Sequence, residues 1–299
     1  MIGATSFTNC AGQPQWPFQG WIDDVRLYSD QLTDDEVALL ANVAAAPAPN
    51  LGHWGFEETA GTNIDESVGN RDGTLVIDVE PVEYDQPGQI GKSMKFPAWK
   101  QYIQVDHGGA YAVPNGSVAI WFKPDPGKIT GYSKSSGGLF AMDQLNPNDG
   151  DLTVGVKCLN NTQCVAFARL QDVAACGGDP NKLWVESTTI MDNSQWHHVV
   201  FTYGTGGMKL YLDGTLEDTY AYFGGAESTT NPLVLATTNW NWIPGNDSTI
   251  STNPFGGYID DIGYFDYELT LEQIQQIYSG IASVNDPEFV RYNVRYRAD

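Results

Sequence analysis

PFGGYIDDIGYFDYELTLEQIQQI, residues 254–277, is the most telling stretch of the chain, because its pattern stands once more as PFQGWIDDVRLYSDQLTDDEVALL, residues 17–40. The two align without a gap at a fixed offset of 237. Pro-Phe, a Gly, an aromatic residue, Ile-Asp-Asp, a β-branched residue, Leu-Thr and an acidic residue recur in order. Ordered matches over such a length mark two homologous segments. In each copy the Ile-Asp-Asp run sits in an alternating, aromatic-rich strand. A short helix follows, capped by Thr33 or Thr270, with Glu272 favourably placed in the first turn of the second copy. Ile274 and Ile277 give that helix an apolar face.

Outward from this block, residues 44–50 (AAAPAPN) form a stiff Ala/Pro linker. The next segment opens with LGHWGFEETAGTNIDESVGNRDGTL, rich in Gly, Asn and Asp turn signals. Strands are then expected at 102–105, 117–124, 152–157, 165–170, 182–187, 196–203, 208–214 and 232–238, at the spacing of a sandwich. Asp213-Gly214 marks a hairpin after MKLYL. With 32 Gly and 16 Pro in 299 residues, the composition also suits many short strands joined by turns. The net charge of -22 argues against nucleic acid and against an anionic membrane as partners. No apolar run reaches about 18 residues, so no membrane insertion by a helix is expected.

Three blocks, HWGFEETAGTNIDESVGN, WHHVVFTYGTGGMKLYLDG and FGGYIDDIGYFDYELTLEQI, resemble in order the laminin-G-like jelly-roll domains of the concanavalin A-like lectin/glucanase superfamily. GKSMKF and SVAIWFKPD extend the resemblance, which covers roughly residues 50–282. It implies an all-β fold, a two-sheet antiparallel jelly-roll sandwich with a short helix after the closing strand. The expected organisation is a C-terminal fragment of a first such domain at 1–43, the linker at 44–50, a complete domain at 51–282 and a basic extended tail at 283–299. The resemblance also implies calcium. By position its ligands are Asp260 of the closing strand, Glu57 of the opening block, and Asp72 with the Gly73 carbonyl at the GNRDG turn. A scarcity of Lys and Arg near Asp260 supports a metal partner for it.

Fold alone does not give function in a superfamily of lectins, adhesion modules and hydrolases. The chain carries no ExDxxE strand, GxSxG or HExxH, and is expected not to be an enzyme. His197 and His198 point to opposite faces of one strand and are read as structural. Trp240 and Trp242, interleaved with Asn239 and Asn241, and the loop residue Trp99 suit stacking on sugars. Asp143 and Asp151 flank a polar loop, MDQLNPNDGD, as a further ligand site. Trp54, Trp121 and Trp196 are assigned to the core. Cys158 and Cys164 flank the turn LNNTQ between two strands and are expected to be bridged, which places the protein outside the cell or at its surface. The pairing of Cys10 and Cys176 stays open.

The expected function is a non-catalytic extracellular binding or adhesion module of a larger multidomain protein, recognising polysaccharide or another glycan, with structural calcium. The alternatives are a spacer or subunit of a surface layer or filament, and an accessory domain of a polysaccharide-degrading enzyme. The front segment, and a tail bearing Arg291, Arg295 and Arg297, are expected to meet neighbouring domains or subunits.

Overall fold

The computed structural model describes residues 46–77, 80–97, 100–125, 136–143, 151–160, 163–171, 183–226, 231–240, 251 and 253–279. The chain divides into two compact units, Met1–Ala44 and Ala45–Asp299, and every described residue belongs to the second. The front segment 1–43, the tail 283–299, Trp99, Asn241, Trp242, Cys10 and Cys176 lie outside the described residues.

Sixteen strands and one helix follow in order among the described residues. They are β1 (Gly52–Trp54), β2 (Asn63–Ile64), β3 (Gly73–Val76), β4 (Glu83–Pro87), β5 (Lys92–Pro97), β6 (Tyr102–Val105), β7 (Gly116–Pro124) and β8 (Ser136–Met142). Then come β9 (Leu152–Asn160), β10 (Gln163–Leu170), β11 (Trp184–Glu186), β12 (His197–Tyr203), β13 (Met208–Leu212), β14 (Thr215–Tyr220), β15 (Leu233–Leu235), β16 (Gly256–Phe265) and α1 (Leu271–Tyr278). The expected strands therefore stand where the alternation put them.

Two eight-stranded antiparallel sheets make the sandwich. The first runs β14-β13-β12-β7-β16-β5-β4, with β1 also paired to β16; the second runs β11-β10-β9-β8-β15-β6-β3-β2. Between them lies one continuous apolar core that includes Trp54, Phe122, Phe140, Phe201 and Tyr264. Alternation along each strand supplies it: Ala166, Ala168 and Leu170 of β10 face inward with Leu152, Val154 and Val156 of β9.

The first sheet departs from simple alternation, since nearly all of β7 and β12 is buried on both faces. Helix α1 and the Leu269 just before it cover its outer face, packing Ile274 and Leu269 on Ala119, Val200, Tyr211 and Phe265. Thr270 caps that helix in a capping box, its hydroxyl accepting from the Gln273 amide at 3.2 Å. At the β13–β14 hairpin both Asp213 and Gly214 have positive φ, 51° and 74°, as a type I′ turn requires.

Strand β16 changes partner along its length. Residues Gly256–Ile259 pair with β5, Ile262–Tyr264 pair with β1, and a bulge separates the two halves. Asp260 and Asp261 occupy that break, Asp261 with a positive φ of 44°. In this copy the Ile-Asp-Asp run sits at a bulge, which re-aims both carboxylates.

A disulfide joins Cys158 of β9 to Cys164 of β10, which stand directly opposite one another in the ladder. No helix among the described residues is long and apolar enough to cross a membrane.

Candidate functional site

The outer face of the second sheet concentrates polar and aromatic chemistry where a solvated sheet face would carry scattered polar residues. Strand register builds it. Arg169 of β10 stands between Thr153 of β9 and Trp184 of β11, and Phe167 stands between Gly155 and Glu186. Gly155 is needed here, because a Cβ at that position would come within 2.9 Å of the Phe167 ring. Trp184 lies flat on Phe167, with centroids 4.3 Å apart and planes 8° from parallel. Its indole N–H donates to Glu186 Oε2 at 3.2 Å, and Glu186 in turn pairs with Lys157 Nζ at 2.8 Å.

Beside this stack is a buried ion pair. Arg169 Nη2 donates to Asp143 Oδ2, and the two side chains are 8% and 1% exposed. Thr153 Oγ1 donates to the same carboxylate oxygen at 3.2 Å, and the Asp143 amide donates to Asn239 Oδ1 at 2.8 Å. Trp240 roofs the pair. Its ring centroid is 4.6 Å from the Arg169 guanidinium carbon, and its N–H donates to Thr153 Oγ1 at 3.0 Å. The indole is therefore held both by a cation against its face and by a hydrogen bond at its edge. Such a face offers half-exposed Trp184 and Trp240, fixed in orientation, next to polar Lys157 and Glu186.

Of the residues expected to bind a ligand, Asp143 and Trp240 meet here. Asp151 is engaged elsewhere, buried, with its Oδ1 accepting from Asn231 Nδ2 at 2.7 Å. Sequence reasoning misses Thr153, Lys157, Phe167, Arg169, Trp184 and Glu186, which it reads only as strand residues. A signal is present in VAFARL, where Phe167 and Arg169 alternate with inward alanines. Trp54 lies in the central core and Trp121 is buried as expected, though on the outer side of the first sheet against Tyr278 and His198, whereas Trp196 on that side is only half-buried.

Residues 98–275 match a laminin-G-type family model described as the concanavalin A-like lectin/glucanases superfamily. The chain belongs to that superfamily. No curated protein sequence matches it. Among solved structures it is similar to Domain 4 of AbnA, a GH43 extracellular arabinanase from Geobacillus stearothermophilus, in complex with arabinotriose. That likeness has 19% identity and a TM-score of 0.51, and covers 77% of this chain and 98% of that one. It is also similar to the Trypanosoma rangeli sialidase, with 13% identity and a TM-score of 0.52 over 83% of this chain and 38% of the sialidase. At these identities the likenesses establish the fold.

In this superfamily member the bulge of β16 buries Asp260 completely. Asp260 Oδ2 accepts from the Gln89 and Ile90 amides, both at 2.7 Å, while Oδ1 is buried without a hydrogen-bond partner among the described residues. Burial pushes its pKa up to about 8; the nearby charges of Asp261 and Glu57 also raise it, against the Ile90 and Gln89 amides. Glu57 is anchored by the Lys92 amide, which donates to its Oε1 at 3.0 Å. An orphaned buried carboxylate oxygen beside a second carboxylate fits a hard cation. Asp72 and Gly73 do not join them. Gly73 pairs with Ile64 in the other sheet, and the Asp72 carboxylate accepts from Asn63 Nδ2 and the Glu66 amide. Among the described residues no three His, Cys, Asp or Glu side chains gather to hold a metal, so further ligands to Asp260 and Glu57 would be backbone carbonyls.

Asp261, the other half of the bulge, meets His53 Nε2 at 2.6 Å through its Oδ1, and His53 Nδ1 meets Ser67 Oγ at 2.7 Å. This Ser-His-Asp line has the connectivity of a nucleophile relay, but among the described residues the neighbouring amides are engaged elsewhere and none forms an oxyanion hole. The Ser67 amide donates to the His53 carbonyl, and the Val68, Gly69 and Arg71 amides all donate to the Glu66 carboxylate. The line is a strut tying the opening loop to the bulge.

His197 and His198 do point to opposite sides. Both ring nitrogens of His197 face acceptors, Asp213 Oδ2 at 2.8 Å and the Asp192 carbonyl at 2.9 Å. Burial opposes its charge, but these partners outweigh that and raise its pKa. His198 lies tilted against Trp121, with centroids 4.8 Å apart, and near-parallel to the Tyr278 ring at 6.2 Å, and neither of its ring nitrogens is bonded among the described residues. Burial lowers its pKa to about 4, with Asp261 and Asp213 pulling the other way. The two act in different pH windows. His197 stabilises fully below the unfolded value near 6.5 and loses that contribution as pH rises through its higher folded value. For His198 the unfolded chain takes up a proton that the folded chain refuses, so stability falls as pH drops from about 6.5 to about 4, by roughly 3 kcal/mol. His198→Phe is expected to flatten this acid limb in urea titrations and leave the limb above pH 6.5 unchanged; an acid limb of unaltered slope would refute the assignment.

Proposed function

We propose that this domain is a non-catalytic, extracellular carbohydrate-binding module, and that it binds glycan on the outer face of β9, β10 and β11. The observation that carries this reading is Trp184 laid flat over Phe167 beside Trp240, itself held over the Arg169–Asp143 pair. Flat indoles of fixed orientation cover the apolar faces of sugar rings with little entropy cost, and Lys157 and Glu186 supply partners for hydroxyls. The carboxylates here support binding over hydrolysis. Asp143 is neutralised by Arg169 and Glu186 by Lys157, whereas glycoside hydrolysis uses two carboxylates facing one scissile bond. Domain 4 of AbnA, which shares the fold, was captured with arabinotriose, making that trisaccharide the natural first probe. The Cys158–Cys164 bridge supports an oxidising compartment. We assign calcium, as a structural ion, to Asp260 and Glu57.

A glycan array followed by calorimetry on the best hit and on arabinotriose tests the reading. Trp184→Ala is expected to weaken binding about tenfold or more, while Trp184→Phe retains most of it. No reducing sugar should be released. An array with no signal above background, or a hit whose affinity is indifferent to both Trp184→Ala and Trp240→Ala, would overturn the assignment.

A further inference from the structure

The opposite side of the sandwich carries a second aromatic feature that the glycan face does not explain. A pocket of about 320 Å³ opens between the end of α1, the start of β12 and the loop before β5, lined by Gln89, Trp121, Gln195, Trp196 and Tyr278. Its floor is built by stacking. Tyr278 lies against Trp121 with centroids 5.5 Å apart and planes 18° from parallel, and His198 backs both rings. Trp196 forms a side wall, braced edge-to-face by Tyr258 at 6.1 Å. Gln195 and Gln89 are exposed and bring two amides to the rim, and Gln89 is set in place by its backbone bond to Asp260. Trp121 Nε1 is buried with no partner among the described residues, a donor that a ligand oxygen would satisfy.

We infer that this pocket is a second, independent binding site, for a neutral sugar ring. Its volume lies at the small end of the roughly 300–1,000 Å³ typical of ligand pockets, enough for one or two rings. Aromatic walls suit the apolar face of such a ring, and amides and an indole N–H suit its hydroxyls, since amides both donate and accept. Charged ligands fit less well. Asp213 and Asp261 act on the His198 ring behind the floor, and Asp213 also acts on Tyr278, which disfavours an anion. The Lys123 ammonium already sits 5.6 Å from the Trp196 ring centre and 4.2 Å from that of Tyr258, which disfavours a cation.

The test titrates the ¹⁵N-labelled full chain with methyl β-D-glucopyranoside, methyl β-D-galactopyranoside and methyl α-D-mannopyranoside, and with sodium glucuronate as the anionic control. At least one neutral glycoside should saturably shift the indole N–H signals of Trp121 and Trp196. Trp196→Ala should weaken that binding about tenfold. Gln195→Ala and Gln89→Ala, at exposed positions, should weaken it several-fold and keep the question decidable if the tryptophan variant does not fold. Trp184→Ala should leave it unchanged. The site is refuted if no neutral glycoside moves the two signals up to its solubility, if the glutamine variants leave the affinity unchanged, or if glucuronate binds as tightly. Shifts abolished by Trp184→Ala but not by the pocket variants would refute this site and leave the glycan face standing. Shifts lost in the pocket variants and untouched by Trp184→Ala are the expected result, and they leave the glycan face to its own calorimetric test.

Discussion

Arg169→Leu is expected to destabilise the domain by about 3–5 kcal/mol, the range for removing one member of a desolvated ion pair. The cost arises because Asp143, at 1% exposure, would lose its guanidinium partner far from water, and burying a carboxylate without one is unfavourable. The Thr153 hydroxyl remains, but a neutral donor does not replace a guanidinium. Trp240 would lose the cation against its ring, so its emission should shift and glycan affinity should fall with stability. Arg169→Leu combined with Asp143→Leu is expected to recover most of the loss, because a buried pair and a well-packed apolar pair of similar volume are often close in energy. Urea unfolding of the wild type, both single variants and the double variant completes the cycle. A single-variant loss below about 1 kcal/mol, the usual value for an exposed pair, would show that water reaches Asp143.

Chelation is expected to destabilise the purified domain by about 3 kcal/mol when calcium had been 100-fold above its dissociation constant. Asp260→Asn should abolish the effect of chelator, and Glu57→Gln should weaken calcium affinity without abolishing it. The expectation follows from Oδ1 of Asp260, buried and without a partner among the described residues, while Oδ2 is held by two amides. Leaving such an oxygen bare costs free energy, and a hard cation shared with Glu57 removes that cost. The ion would also hold the loop that carries Gln89 and Ile90, so chelation should increase amide exchange there first. A wild-type melting curve that chelator does not move, in protein shown to be calcium-loaded, would rule out a structural ion at Asp260.

Much of the architecture is written locally. Period-two alternation in SVAIWFKP, VAFARL and WHHVVFTY marks strands because successive side chains point to opposite faces whatever the strand meets. Thr270 with Gln273 marks a helix start because a cap and its partner are three residues apart. Cys158 and Cys164 stand across one hairpin, so a separation of six residues suffices to pair them. The aspartate pair, repeated with its flanks, points to a shared structural device, and the bulge of β16 is that device in the copy the structure describes.

The sites are less legible. Residue type singles out Asp143 and Trp240 separately, yet nothing local connects them; Arg169, which joins them, lies in an apolar strand and reads as a surface residue. Trp121 and Trp196 read as inward because a strand offers only two faces and burial is the default for tryptophan, whereas α1 covers part of the outer face and makes a second buried layer there. Asp72 groups with Asp260 by position in the motif, but β3 and β16 belong to different sheets.

Which segments form strands, where the one described helix begins, the Cys158–Cys164 bridge and the superfamily are all contained in the amino-acid sequence. Each depends on residues a few positions apart, or on ordered motifs that survive without knowledge of pairing. Long-range packing alone places Arg169 between Thr153 and Trp184, brings its guanidinium to Asp143 beneath Trp240, and sets Asp260 beside Glu57 and away from Asp72. Those juxtapositions come from register between strands distant in sequence. Register is set by how all sixteen described strands close over one core, a condition that no single stretch of the chain contains.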